Sequence, residues 1–297
     1  MKAVSVIIPC HNARGTLGAC LEALRTQTVK PSEVIVVDDA STDGSGEIAA
    51  RFGSVVIRSD ERLSAGQART IGKARAGGSI IAFTDADAVP QADWVEKVHS
   101  AFERYPGASG VGGAILDGSR GIAGRLEYLS NFSEYIGSKK PGQVSTIPTI
   151  NVAYRREAIQ GIDFIPTTAG EDTTFNAEIG SRGGRLIFDP SIRVTHIPSR
   201  RGLLSFFRNQ YRCGRAFVYP RMRYPLRGQV FLRYPLLLLF MPRLGVLLAR
   251  YLFTEHLISF IVLLPLLAAG EVCRTAGVLH QRRVELIVSH HGAHGEK

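Results

Sequence analysis

A mostly parallel α/β sheet, followed by an apolar helical region, is the fold that this 297-residue sequence predicts. Three observations lead to it. Short apolar runs alternate with stretches of helical periodicity at the spacing of crossover units through the N-terminal third. Three of the apolar runs end in polar residues, His11-Asn12, Asp38-Asp39 and Asp85-Ala86-Asp87, which a parallel sheet carries to one edge. From Val230 onward the texture changes to long apolar segments of the kind that meet lipid.

The elements follow in order. Residues 4–8 are a first strand, and Cys10-His11-Asn12 its exit, followed by Leu17, Cys20, Leu21 and Leu24 at helical spacing. Residues 33–37 are a second strand, ending in the polar turn 38–45, which offers several caps for the helix that carries Ile48 and Phe52. Residues 55–57 are a third strand, and 66–76 a short helix broken by Gly77-Gly78. The fourth strand, 79–84, runs into Asp85 and Asp87, and Trp94, Val95, Val98 and Phe102 form the apolar face of the next helix. Beyond it the pattern loosens. It predicts strands at 110–116 and 150–154, a helix with Ile122, Leu126 and Leu129, and a helix beginning at Glu171-Asp172-Thr173. Two short strands, 186–188 and 194–196, follow.

Charge is the unusual feature of the composition: 36 Lys and Arg against 26 Asp and Glu. Between Pro190 and Thr254 there is no acidic residue and there are 12 arginines, among them Arg200 and Arg201, so the basicity is local and serves a local purpose. Its neighbours are Leu, Phe, Tyr and Pro leading into apolar segments, which fits an anionic membrane surface better than nucleic acid. Cys10, Cys20, Cys213 and Cys273 form no paired motif, as expected of a reducing compartment. The first apolar run is too short for a signal-peptide core, so the N-terminal part is expected in the cytoplasm. His290, His291 and His294 read as part of a solvated tail.

Two carboxylates one residue apart at a strand exit are hard oxygen ligands suited to Mg²⁺ or Mn²⁺, which in turn binds phosphate oxygens. The competing reading is that Asp85 and Asp87 are only turn and cap residues ahead of Trp94.

Taken together, the stretches VSVIIPCHN (4–12), VDDASTD (37–43), AGQAR (65–69), FTDAD (83–87), NVAYRRE (151–157), GEDT (170–173) and His196 resemble, in order and spacing, the GT-A glycosyltransferases of family 2. The resemblance covers about two-thirds of the chain and implies a GT-A domain over residues 1–200. An arginine-rich interfacial segment (201–229), one or two membrane helices (230–273) and a polar tail (274–297) would follow. It implies that Pro9, His11, Asn12, Asp38 and Asp39 hold the nucleoside of a sugar nucleotide, with Asp39 at the base edge. Arg69 would meet the diphosphate, Asp85 the ribose or metal, and Asp87 and His196 the metal. Asp172 would be the catalytic base beside Glu171, with Asn151 and Arg155 on the acceptor side. The activity implied is metal-dependent, inverting transfer of a single hexose to a lipid-linked or envelope acceptor at the cytoplasmic face of a membrane, with Mn²⁺ or Mg²⁺ as cofactor.

The sequence departs from the family where Thr70 replaces the usual Asn and where Thr149-Ile150 replaces a glycine-rich turn. The Gln and Arg of residues 209–215 lack the spacing of the processive synthases, which favours single transfers. Two rival readings are a sugar nucleotidyltransferase, against which the N-terminus lacks a Gly-rich basic loop, and a non-catalytic membrane scaffold, against which Asp85, Asp87 and Asp172 are intact. For the membrane region the sequence leaves two spans, one span or an interfacial first segment open. Arg233, Pro235, Pro242 and Arg243 interrupt residues 230–249, whereas 251–272 is cleaner.

Overall fold

The computed structural model describes residues 2–166, 170–198 and 202–292, with side chains through residue 285. Arg200, Arg201 and His294 lie outside the described residues, as do the side chains of His290 and His291. The chain divides into two units: Met1–Ser119 with Glu134–Thr167 and Glu171–Ser199, and Arg120–Ser133 with Thr168–Gly170 and Arg200–Lys297.

The first unit opens as the sequence predicts: β1 (Val4–Cys10), α1 (Leu17–Arg25), β2 (Glu33–Asp39), α2 (Ser45–Arg51), β3 (Val55–Ser59), α3 (Ala65–Arg75) and β4 (Ile80–Thr84). These strands lie in the order β3-β2-β1-β4, all parallel. β1, the interior of β2 and β4 are largely apolar and buried, because both faces of a parallel sheet are covered; Ser5, the polar exception in β1, donates to Glu33 at 2.6 Å. The register sets Cys10 beside Asp38 and Asp39 beside Ser59, so the polar exits share one edge.

The remainder is mixed in direction. β5 (Ala88–Pro90), α4 (Trp94–Arg104), β6 (Gly110–Asp117), α5 (Ile122–Asn131, in the second unit), β7 (Gly142–Val144), β8 (Asn151–Arg155), α6 (Glu171–Ser181) and β9 (Leu186–His196) complete the order. β8 runs antiparallel to both β4 and β6, β6 is parallel to β9, and the short β5 and β7 each add antiparallel to β9. The two short strands expected near 186 and 194 are one strand. Its irregular middle, Asp189 to Ile192, bulges against Gly113, where any Cβ would lie 2.0 Å from the Ile192 carbonyl oxygen. Asp189 holds the bulge by accepting from Ser191 N and Oγ, and Pro190 sits where no ladder N–H is needed. Ile7, Phe83, Tyr154, Phe164 and Phe175 form the core between the sheet and the helices. Phe164 stacks on Phe175 at 4.0 Å between ring centroids, and each ring so buried contributes about 1.5–3 kcal/mol.

The second unit is helical: α5, α7 (Leu203–Arg223), α8 (Val230–Arg233), a 3₁₀ segment (Pro235–Phe240), α9 (Pro242–Tyr251) and α10 (Leu257–Gly292). The first apolar stretch, 230–249, is therefore not a crossing helix. Pro235 supplies no N–H, Met241 turns the chain through φ 52°, and Pro242 starts a new helix, so no piece reaches the roughly 20 residues a span requires. The polar tail expected from 274 continues the same helix, since α10 runs to Gly292. Among the described residues α10 is the one helix long and apolar enough to cross a membrane. It packs on α7 at two glycines: a Cβ on Gly214 would lie 1.9 Å from the Arg274 carbonyl oxygen, and one on Gly277 2.1 Å from that of Tyr211. Between them Glu271 is buried and pairs with Arg243, and Arg274 donates to Gln210 (2.7 Å) and Asn131 (3.1 Å). These contacts offset the desolvation of three charges.

Candidate active site

The first two strand exits are tied together by side chains. Asn12 adopts φ 48°, a left-handed conformation that Asn tolerates, and its Oδ1 accepts from Thr42 N at 2.9 Å while its own N–H donates to Ser41 Oγ at 3.0 Å. His11 Nδ1 lies 2.6 Å from the Asp39 carbonyl oxygen and Nε2 3.0 Å from Asn12 Nδ2. Both contacts are hydrogen bonds if Nδ1 carries the proton and Nε2 accepts. Ala40, also at φ 48°, is strained without a glycine's excuse, at a cost of about 1–2 kcal/mol.

The two carboxylates at the end of β2 point to opposite faces, as successive strand residues must. Asp39 accepts from Leu63 N through Oδ1, and its Oδ2 lies 3.1 Å from Arg62. Asp38 is 0% exposed, accepts from Ser41 N at 3.1 Å, and directs Oδ2 at Gly46, where a Cβ would come within 2.6 Å. Asp38, expected at the nucleoside, thus holds the turn at Ser41 through Oδ1, while its buried Oδ2 has no hydrogen-bond partner.

Helix α3 starts at a reciprocal cap in which Ser64 Oγ accepts from Gln67 N and Gln67 Oε1 accepts from Ser64 N. One turn on, Arg69 is 5% exposed in its side chain and lies between Asp85 Oδ1 (2.8 Å) and Glu171 Oε1 (3.0 Å). The guanidinium is thus engaged by carboxylates of this chain, and Glu171 is its anchor. Arg69 Nε has no hydrogen-bond partner though buried, so one donor of this cluster is unmet.

β5 decides the next contact. Its antiparallel register sets Ala88 opposite His196, and Asp87 Oδ2 comes 3.6 Å from His196 Nε2. Asp172 lies on the first turn of α6, where its Oδ1 accepts from Thr173 N at 2.6 Å. Burial, and then the neighbouring Glu171 charge, push its pKa up to about 6 against the opposing pull of Arg69. A carboxylate so raised binds a proton near neutrality, as a general base requires. All of these residues belong to the first unit.

The sequence model described as Glycosyl transferase family 2 matches residues 5–162, more than half of the chain, strand exits included. The chain belongs to glycosyl transferase family 2. Glycosyltransferase AglE of Haloferax volcanii is 27% identical over 224 residues, 72% of this chain and 73% of that protein. A glucosyl-dolichyl phosphate glucuronosyltransferase of the same organism is 24% identical over 216 residues, 65% and 68% of the two chains. The fold is that of the mannosyltransferase PcManGT from Pyrobaculum calidifontis, solved in complex with GDP-Man and Mn²⁺. The two superpose with a TM-score of 0.64 at 19% identity over 94% of this chain and 87% of that one.

The two residues expected on the acceptor side have their side chains engaged within the first unit. Asn151 is 0% exposed: its Nδ2 donates to the Ala114 (2.9 Å) and Ile192 (3.0 Å) carbonyls, and its Oδ1 accepts from Trp94 Nε1 at 2.8 Å. It is a satisfied core amide joining three elements. Arg155 pairs with Ile80, at the start of β4, so the antiparallel β8 carries it to the edge opposite Asp85. There it donates to the Ala108 carbonyl at 2.9 Å and stacks on Phe102. Replacing Asn151 by Ala orphans the buried Trp94 N–H, a penalty of roughly 1–3 kcal/mol before the lost bonds to two carbonyls are added. We expect Asn151→Ala to lower unfolding stability in urea by about 3 kcal/mol and to leave the acceptor KM of the folded fraction unchanged.

Some contributors give no local signal. Arg62 stands in an ordinary charged loop yet covers Asp39. Thr70, a departure from the family pattern, accepts from Phe164 N at 3.0 Å, so its hydroxyl fastens the chain leading to α6. Cys20 directs Sγ at the Asp85 carbonyl from beneath, at 3.6 Å.

Proposed function

We propose that this glycosyltransferase moves a single hexose, with inversion, from a nucleoside diphosphate sugar to a hydroxyl of a lipid-linked or envelope acceptor at the cytoplasmic face of a membrane. The observation that carries the reading is the gathering of Asp85, Asp87 and His196 at one strand-exit edge, with Asp172, a carboxylate of raised pKa, close to the same Arg69 cluster. Among the described residues no group of three or more His, Cys, Asp or Glu side chains is placed, as it stands, to hold a metal ion. The donor chemistry nevertheless fits a divalent cation of the Mg²⁺ or Mn²⁺ kind: Asp87 and His196 adjoin, and Asp85 keeps Oδ2 beyond its contact with Arg69. Bound there with the diphosphate, such an ion would offset charge growing on the leaving group. PcManGT, with GDP-Man and Mn²⁺, supports both donor and metal, and the dolichyl phosphate in the glucuronosyltransferase's name supports a lipid-linked acceptor.

The chain's own residues supply the rest. Asp39, with Arg62 beside it, takes the base edge, and His11 and Asn12 shape the nucleoside loop. Arg69 holds Asp85 and Glu171 in place and stays cationic at any working pH. Asp172 takes the proton of the acceptor hydroxyl as its oxygen attacks the anomeric carbon and the bond to the diphosphate breaks. One displacement with one base inverts the centre. The arginine-rich segment and α10 keep the enzyme at anionic lipid.

Donor identity is tested by thermal shift of the purified protein with Mn²⁺ against a panel of UDP-, GDP- and dTDP-sugars. One nucleotide class should raise the midpoint, and no shift with any of them would overturn the reading. A pH profile follows from Asp172. The carboxylate is the active form, so kcat falls tenfold per unit below about pH 6 and levels off above it. The sign for stability is opposite. The folded pKa exceeds the unfolded one, so the native state binds the extra proton, and this contribution is lost as pH rises through about 6. A kcat flat down to pH 5 would remove Asp172 from the role.

A further inference from the structure

Helix α10 exposes apolar side chains along one side and buries a mixed set on the other, Phe260, Leu267 and Val278 beside Glu271 and Thr275, whereas a helix in a water-soluble bundle turns its apolar side inward. Ile258, Ile261, Val262, Ala269, Val272 and Leu279 share one side of the helix, at steps of three, four and seven residues, and are exposed, the Ile, Val and Leu among them by 40–76%. At 1.5 Å per residue the stripe is about 32 Å long. The opposite side buries Glu271 and Thr275 and presents Gly270 and Gly277 to α7.

A stripe of that length could cross a bilayer or lie along one, and α7 decides between them. The two helices run side by side in the same direction: Phe206 meets Gly270, Gln210 accepts from Arg274, Tyr211 meets Gly277, and Arg215 donates to Gln281. If α10 crossed, the first half of α7 would follow residues 270–281 into the bilayer and take the exposed Arg208 and Arg212 with it, against a cost that reaches roughly 2.5–3.5 kcal/mol per arginine at the bilayer centre. Laid flat, the same arginines meet anionic headgroups at a gain of about 1 kcal/mol each, and no acidic residue between Pro190 and Thr254 opposes them. The broken segment before α10 adds strongly exposed rings at Phe240 and Phe253 and contains no crossing helix.

We propose that α10 lies in the plane of an anionic membrane, its Ile258-to-Leu279 stripe sunk into one leaflet, and that none of the described helices crosses the bilayer. This deepens the membrane attachment proposed above and is independent of the transfer chemistry, so a soluble-acceptor transfer assay tells the failure of one from the failure of the other.

The test uses the full chain with Cys213 and Cys273 changed to Ala, since Cys10 and Cys20 are buried. Single cysteines at exposed Ile261, Val272 and Leu279 carry an environment-sensitive dye. Vesicles contain phosphatidylglycerol with phosphatidylcholine, and nitroxides sit at shallow or deep acyl positions. All three sites should shift to the blue and be quenched more by the shallow nitroxide, to equal degrees. Phosphatidylcholine alone should bind less, and Val262→Asp with Val272→Asp should weaken vesicle binding by roughly tenfold or more. Deep quenching at Val272 flanked by shallow quenching at Ile261 and Leu279 would show a crossing helix and overturn the proposal. A blue shift already present without vesicles, together with a dimer by light scattering, would mean that a second copy covers the stripe, and would overturn it equally. So would the absence of any shift with vesicles. Thermal midpoints near that of the parent confirm that each labelled variant is folded.

Discussion

Asp172→Asn is expected to lower kcat by about 10²–10⁴, the usual range for losing a general base, while the Kd for the sugar nucleotide changes little. The reason is the division of labour at the start of α6. Asp172 Oδ1 accepts from the backbone N–H of Thr173, and an Asn carbonyl can keep that contact and the fold with it. An amide cannot take a proton at neutral pH. The acid limb near pH 6, which belongs to this carboxylate, should vanish from the residual activity of the variant. Single-turnover transfer with saturating donor, set beside calorimetric donor binding, separates the two effects. Near-wild-type transfer would reduce Asp172 to a local hydrogen-bonding role and place the base elsewhere.

Asp87→Ala is expected to bring transfer down by a factor on the order of 10³ or more, the scale of several kcal/mol of leaving-group stabilisation. The substitution removes the carboxylate that adjoins His196. It leaves the backbone join intact, because Ile197 N donates to the Asp87 carbonyl at 2.8 Å and Ala88 pairs with His196 in the sheet. The variant should therefore unfold at the wild-type temperature. EDTA should produce the same loss in the unaltered enzyme, and Mn²⁺ or Mg²⁺ should restore the unaltered enzyme alone. Full activity in EDTA, or in Asp87→Ala, would show that the acidic edge serves only as turn and cap.

The succession of elements in the sheet and its edge of polar exits were legible in the chain's residues, because these are local matters. An apolar run bounded by turn residues is a strand wherever it packs, and a βαβ succession sends its strands the same way. The family was legible for the same reason, since its motifs sit on those exits. What the tertiary structure decided concerns partners distant in sequence. Alternation along β2 puts Asp38 and Asp39 on opposite faces, but only the packing of Gly46 shows which face is closed. Asn151 lies beside the active edge in the register and is consumed by Trp94, Ala114 and Ile192. Arg155 follows it in sequence yet ends at the far edge, because β8 runs antiparallel, a direction that no residue within it encodes. Arg69 had the right charge to meet a diphosphate, and two carboxylates brought by β4 and α6 claim it. Likewise the apolar composition after Val230 announced lipid, but whether a helix crosses or lies flat depends on what it is packed against. The glycines of α7 and α10 join an apolar helix to an arginine-rich one, and on that pairing the proposal of a helix lying flat rests.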